Sequence, residues 1–322
     1  VNSKYNVLII GAGNIGASFD TPETVEVLTH AHAFKKHERF KLLGFVDANE
    51  EKARSASLLW GSKSYPSVEE AFSKEKIDVV CVAVPDEHHY AILKKLSTLP
   101  LQVIFAEKPI TKTLDQAKDI VQVLNDRRIS TVVNYTRRFV PEFEKIRHAI
   151  EDGTYGEFLT GTGYYGKGIV HNGSHLVDLV RYFIGEIDSV GYVSSISDFY
   201  PDDESVAAIL TIKKDKSFFL QYADCNNYTM FELDMFFKMK RIRISDLGFK
   251  VEEYDVKESK VFKGFKNIVR TTESNTSFSN ALYNAADNIY AHLSQGQDLK
   301  CSAEDAYKTL QTCLQIKESA KR

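Results

Sequence analysis

An apolar run, Tyr5–Ile10, leads directly into Gly11-Ala-Gly13-Asn14-Ile15-Gly16. A strand that ends in G-x-G-x-x-G restricts the folds open to a chain. The glycines permit a tight turn, admit a pyrophosphate to backbone N–H groups and let the next helix pack close to the strand. The runs Phe40–Val46, Ile77–Val84, Leu101–Ala106 and Thr131–Val133 come next, each rich in Val, Ile, Leu or Phe. Continuous apolar character, without alternation, marks strands buried on both faces. Ser67-Val-Glu-Glu70 and Thr113-Leu-Asp-Gln116 have capping-box form and start helices between them. The series predicts right-handed βαβ crossovers and an N-terminal, doubly wound parallel sheet over residues 1–133.

Beyond about residue 136 the pattern changes. Pro141–Glu151 reads as a helix stopped at Gly153, Glu157–Tyr165 as a strand and His175–Ile184 as a second helix. Ala207–Ile212, Phe218–Tyr222 and Met239–Ile244 are strand-like and closely spaced, which predicts a mostly antiparallel sheet. Asn280–Leu293 and Ala303–Glu318, the latter introduced by Ser302, read as closing helices. Residues 134–322 are therefore expected to form a second, α+β domain.

The bulk properties exclude several classes. The 322 residues carry a net charge of −3, which provides no basic field for nucleic acid. No run of about eighteen apolar residues offers a membrane span, and no secretory signal is expected. Cys81, Cys225, Cys301 and Cys313 are scattered without a C-x-x-C pair, which fits reduced thiols in the cytoplasm.

The candidate functional residues cluster at strand ends. Gly11, Gly13, Asn14, Ile15 and Gly16 make the turn. Asp47 closes the second strand, where a carboxylate accepts hydrogen bonds from an adenine-ribose diol; its alternative role is a turn or cap residue. It lies 31 positions beyond Gly16 rather than the ordinary 20 or so, which implies an inserted loop over 18–28. A carboxylate there repels a 2′-phosphate and favours NAD over NADP, while Lys52 and Arg54 nearby leave NADP open. Pro85-Asp-Glu-His-His89 follows the fourth strand, so Pro85 and His89 are candidate cofactor contacts, the alternative being a solvated loop. Glu107-Lys108-Pro109 ends a buried strand at the edge where open α/β sheets bind ligands. Glu107 and Lys108 are thus candidates for the cofactor side, and Lys108 also for chemistry on a substrate. In His171-Asn172-Gly-Ser-His175-Leu-Val-Asp178, both histidines and Asp178 share a face if the segment is helical. His175 is a candidate acid/base, with helix capping or metal binding as alternatives. No H-E-x-x-H pattern or further ligand set supports a metal.

Gly11-x-Gly13-x-x-Gly16, Glu107-Lys108-Pro109, Asn134-Tyr-Thr-Arg-Arg138-Phe139-x-Pro141 and Gly173-x-His175-x-x-Asp178 occur in that order. Together they resemble the Gfo/Idh/MocA oxidoreductases, the family of glucose–fructose oxidoreductase and inositol dehydrogenase. The resemblance runs the full length, including Ser302-Ala-Glu-Asp-Ala. It implies a nicotinamide-binding Rossmann domain and a second domain on a large open sheet used for homodimers or homotetramers. It also implies oxidation or reduction of a hydroxyl on a sugar, cyclitol or nucleotide-linked sugar, with Lys108 and His175 catalytic. Arg138, Tyr165, His171 and Asn172 are then expected beside the substrate. One position departs: many members carry Asp four residues before the catalytic histidine, and this chain has His171, a second imidazole that is expected to carry a proton or bind substrate. Two other functions stay open, an NAD-binding regulator without turnover and a dehydrogenase of a non-sugar such as a dihydrodiol.

Overall fold

A computed structural model describes residues 4–213 and 215–321. Contacts divide the chain into two units, one formed by residues up to Phe139 together with Ser279–Lys308, the other by Val140–Phe278 together with Thr309–Arg322. In the first, β1 (Tyr5–Ile10), β2 (Phe40–Val46), β3 (Lys63–Ser64), β4 (Val79–Val82), β5 (Val103–Ala106) and β6 (Ser130–Val133) form one sheet. Its order is β3-β2-β1-β4-β5-β6 and every pairing is parallel. This is the doubly wound order, which reverses direction between β1 and β4. The apolar runs behave as expected: every residue of β4 and β5 is fully buried.

Helices α1 (His30–Lys36), α2 (Glu50–Leu59), α3 (Val68–Lys74), α4 (His89–Leu96) and α5 (Leu114–Asp126) belong to this unit. Ser67 and Thr113 cap α3 and α5, accepting the N–H groups of Glu70 and Gln116. A loop occupies the expected place: the short turn Asn14–Ser18 takes in Gly16, and α1 begins only at His30. Buried Asp20 closes the loop by accepting from the Leu28 N–H at 2.6 Å, the Thr29 hydroxyl at 2.5 Å and the His32 ring at 2.8 Å.

The sequence places the domain break after residue 133, whereas the contacts carry the first unit to Phe139 and return 279–308 to it. Side chains explain the extension. The Asn134 amide donates to Glu107, and Arg138 donates to the Lys300 carbonyl. Phe139 is buried with its ring 6.5 Å from that of Phe105. Burying such an aromatic contributes about 1.5–3 kcal/mol. Helix α8 (Ala281–Gln295) buries Ala285, Ala286 and Ile289 and packs against α1. Periodicity identifies such a helix without saying which core receives its apolar face.

The second unit holds β7 (Phe158–Tyr165), β8 (Ile187–Tyr200), β9 (Asp203–Ile212), β10 (Lys216–Tyr222), β11 (Glu232–Phe237), β12 (Lys240–Ser245), β13 (Lys250–Glu258) and β14 (Lys266–Asn275). Their order is β14-β13-β12-β11-β7-β10-β9-β8. Among the described residues only β10 with β7 runs parallel, so the sheet is mostly antiparallel, as expected. Alternation divides its faces: Leu233, Met235 and Phe237 are buried between half-exposed neighbours. Helices α6 (Pro141–Glu151) and α7 (Ser174–Phe183) belong to this unit, and α9 (Ala303–Ser319) runs from one unit into the other.

Candidate active site

The glycine turn is built as its spacing requires. Gly11 has φ +99°, and a Cβ on it would lie 2.3 Å from the Ala83 carbonyl oxygen. A Cβ on Gly16 would stand 2.1 Å from the Gly11 carbonyl oxygen, so only hydrogen fits there. Gly13 differs: a Cβ on it would meet nothing within 4 Å. Gly13 and Gly11 line a cavity of about 550 Å³ along the carboxyl ends of β1, β2 and β4. A side chain at Gly13 would fill part of the space that its absence leaves for a phosphate to approach the backbone, so the site fits a dinucleotide. Asn14 is exposed at the start of the following turn and Ile15 is half-buried within it.

Asp47 lines the same cavity. Its Oδ2 accepts the Ala12 N–H at 2.7 Å and its Oδ1 the Asn49 N–H at 2.8 Å. The carboxylate therefore braces the glycine turn, and each oxygen retains a lone pair for a diol. Asn49 caps α2. Pro85 is exposed on the cavity wall, whereas His89 is buried and does not line the cavity. It is 1 % exposed, and its ring nitrogens lie 2.7 Å from the Pro109 carbonyl and 2.9 Å from the Val84 carbonyl. It ties two loops together, while its exposed neighbour His88 lines the cavity along with Lys52 and Lys95.

At the end of β5, Glu107 Oε1 accepts from His30 Nε2 at 2.8 Å and from the Asn134 amide at 2.6 Å. Burial pushes this carboxyl up, but the His30 and Asn134 hydrogen bonds and the His30 and Lys108 charges outweigh it and hold it below the usual range. Glu107 is thus the anchor of the triplet, and half-buried Lys108 follows it before a cis Pro109. His30 lies 77 positions upstream in sequence, and spacing carries no signal for such a pairing.

In the second unit, His171 lies in the one-turn segment Gly168–Gly173 that runs into α7, and half-buried His175 occupies the first turn of α7. Two buried aspartates of the β8–β9 hairpin hold this segment. Asp198 Oδ2 accepts the Lys167 N–H at 2.8 Å, and its Oδ1 the Ser205 hydroxyl at 2.9 Å. Burial pushes Asp198 up, yet these donors and Cys225 keep it below its ordinary range. Asp203 Oδ2 accepts the His171 N–H at 2.9 Å and faces His171 Nδ1 at 2.8 Å. The His171 ring stacks on Tyr200 with centroids 3.8 Å apart and planes inclined by 17°. The Asn172 amide donates to the Gly166 carbonyl at 2.9 Å. Asp178 is buried in α7 and accepts from Thr309. Among the described residues no group of three or more His, Cys, Asp or Glu is arranged to hold a metal ion.

Two expected substrate contacts, Tyr165 and Arg138, are buried and hydrogen-bonded within the protein. Tyr165 is fully buried; its hydroxyl donates to the Val206 carbonyl at 2.8 Å and accepts the Val206 N–H at 2.7 Å, and burial pushes it well up. Its position on the inward face follows from the alternation of β7, where Gly161 and Gly163 are also buried. Arg138 is 4 % exposed, bonded to the Lys300 carbonyl and 3.3 Å from Asp305.

Residues 5–135 match the family described as oxidoreductase, NAD-binding Rossmann fold, known as Gfo/Idh/MocA. The N-terminal part of the chain is thus similar to the Rossmann domain of the Gfo/Idh/MocA oxidoreductases. Inositol 2-dehydrogenase of Rhizobium meliloti is 26% identical over 149 residues, covering 46% of this chain and 41% of that protein. D-apiose dehydrogenase of Paraburkholderia graminis is 23% identical over 199 residues, covering 56% of this chain and 53% of that protein. The chain thus spans about half the length of the curated relatives it matches. A solved UDP-N-acetylglucosamine 3-dehydrogenase of Acidithiobacillus ferrooxidans superposes with a TM-score of 0.79 at 17% identity, covering 98% of this chain and 97% of that one. This likeness shows a shared fold that includes the second unit. Among the described residues no helix is long and apolar enough to cross a membrane.

Proposed function

We propose that this chain is an NAD-dependent dehydrogenase that interconverts a hydroxyl and a carbonyl on a sugar, cyclitol or nucleotide-linked sugar. The observation that carries the reading is the glycine-floored cavity with Asp47 on its wall, in a chain that also places Lys108 at the end of β5. The names of the relatives, acting on inositol, apiose and a UDP-sugar, support a polyhydroxylated substrate. A bound nicotinamide supplies the hydride acceptor. The backbone N–H groups at Gly13 bind phosphate, and Asp47 binds the ribose diol and disfavours a 2′-phosphate, hence NAD over NADP. Lys108 stabilises the negative charge that develops on the substrate oxygen. His175 accepts the hydroxyl proton in oxidation and returns it in reduction. His171 and Asn172 shortly precede His175 in sequence and serve the same substrate, and the scattered thiols suit a cytoplasmic setting.

The test is single-turnover nicotinamide absorbance against a panel of sugars, cyclitols, UDP-sugars and dihydrodiols. Reduction of NAD by one of the first three classes is expected. Tight NADH binding with no redox change across the panel would instead establish a regulator without turnover.

The open sheet supports a homo-oligomer. Leu159, Phe219 and Ile209 are 43%, 37% and 37% exposed on neighbouring strands β7, β10 and β9, with Phe219 directly opposite Ile209. Two copies that pair these faces would remove this apolar surface from water. Phe219→Glu is expected to convert a dimer or tetramer to a smaller species in light scattering. An unchanged mass would place the interface elsewhere.

A further inference from the structure

The second imidazole at position 171 stands where a carboxylate was expected, yet the fold returns a carboxylate to it from another element. Asp203, the first residue of β9, is 1 % exposed, and its Oδ2 lies 2.8 Å from His171 Nδ1. The same oxygen accepts the backbone N–H groups of Val170 at 3.0 Å and His171 at 2.9 Å. These two donors fix the carboxylate before the ring is considered. An ionised carboxylate only accepts, so the ring nitrogen facing it carries the proton and the neutral ring presents Nε2 as its acceptor. The stacked Tyr200 ring restricts the imidazole plane. Lys317 Nζ stands 3.7 Å from the opposite oxygen, Oδ1, and so leaves Oδ2 to the imidazole. The His171 side chain is 27% exposed while that of Asp203 is 2% exposed. A buried carboxylate behind a partly exposed imidazole is the arrangement that orients a proton acceptor. His171 and His175 are four positions apart on a continuous helical run, which brings their side chains onto neighbouring turns about 5–6 Å apart.

We propose that Asp203 is a positioning residue that holds His171 as a proton carrier for His175. The inference rests on the dehydrogenase reading above. In oxidation a carbinol gives up a hydride to the nicotinamide and a proton to His175. That proton passes to His171 Nε2 and from the exposed ring to water, leaving the ketone, reduced nicotinamide and one released proton.

The test is a double-mutant cycle of His171→Ala, Asp203→Asn and the pair, on the full chain, with a substrate that the wild type oxidises. Asparagine keeps an oxygen for the backbone N–H groups of Val170 and His171 while removing the charge, and melting curves confirm that each variant is folded. Each single variant is expected to lose roughly tenfold or more in kcat with little change in KM, and the pair no more than His171→Ala alone. Added imidazole should restore kcat to His171→Ala, an effect that a purely structural role cannot produce. If Asp203→Asn fails to fold, imidazole rescue of His171→Ala and ¹⁵N spectra showing Nδ1–H on His171 of the wild type carry the test. Additive losses, a change confined to KM, failed rescue or an Nε2–H ring would overturn the proposal while leaving the dehydrogenase reading intact. A wild type that binds NADH and oxidises no member of the panel would overturn both.

Discussion

Lys108→Ala is expected to slow hydride transfer by about 10²–10³-fold, the usual cost of removing one preorganised donor from a developing oxyanion. The site around Lys108 makes this an informative substitution. Glu107 is already held by His30 and Asn134, so removing the lysine does not leave that carboxylate without partners. The strand behind it, Val103–Ala106, is fully buried and stays packed. The loss should therefore fall on kcat in single-turnover absorbance, with most of the NADH affinity and the melting temperature preserved. Lys108→Arg should recover only part of the rate, because a planar, delocalised guanidinium does not reproduce a compact ammonium. Wild-type turnover by both Lys108→Ala and His175→Ala would refute the catalytic assignment.

The second large effect separates cofactor binding from folding within one motif. Gly13→Leu should abolish most NADH affinity, by about 10²-fold or more, while shifting stability by less than about 1 kcal/mol. Gly13 has φ −79° and ψ −162°, open to any residue, and a Cβ there meets no atom within 4 Å. The added side chain therefore costs the fold little and blocks the approach of a phosphate to the backbone. Gly16→Ala should do the reverse. Its Cβ would lie 2.1 Å from a backbone oxygen, so the turn must shift, at a cost of about 1–3 kcal/mol or more. Fluorescence titration with NADH and thermal melting distinguish the two. NADH affinity at the wild-type level in a folded Gly13→Leu would remove the phosphate cradle from this turn.

The N-terminal sheet was legible because its signals are local. Apolar runs such as Val79–Val82 must be buried on both faces, and Ser67 and Thr113 announce helix starts through bonds three residues long. Other assignments needed information from distant parts of the chain. His88 and His89 are adjacent and chemically identical, and only the direction of α4 decides that His88 lines the cavity and His89 joins Val84 to Pro109. Tyr165 was readable in principle, since alternation along β7 puts it in phase with the inward Gly161 and Gly163. Arg138 carries no such signal, because its partners at 300 and 305 arrive with the returning segment.

The sequence by itself determined the Rossmann strands, the glycine turn, the acid at the end of β2 and the lysine at the end of β5. Each depends on neighbours within one strand, turn or helix start, where hydrophobic period and backbone geometry act directly. The tertiary structure alone decided which carboxylate meets which imidazole. Asp203 reaches His171 across 32 positions, and Glu107 reaches His30 across 77. Such pairs form when packing of the apolar faces brings a helical turn against a strand end, and no spacing rule along the chain encodes them. The histidine in place of the expected aspartate therefore looked like a missing charge, and the fold supplies that charge from β9.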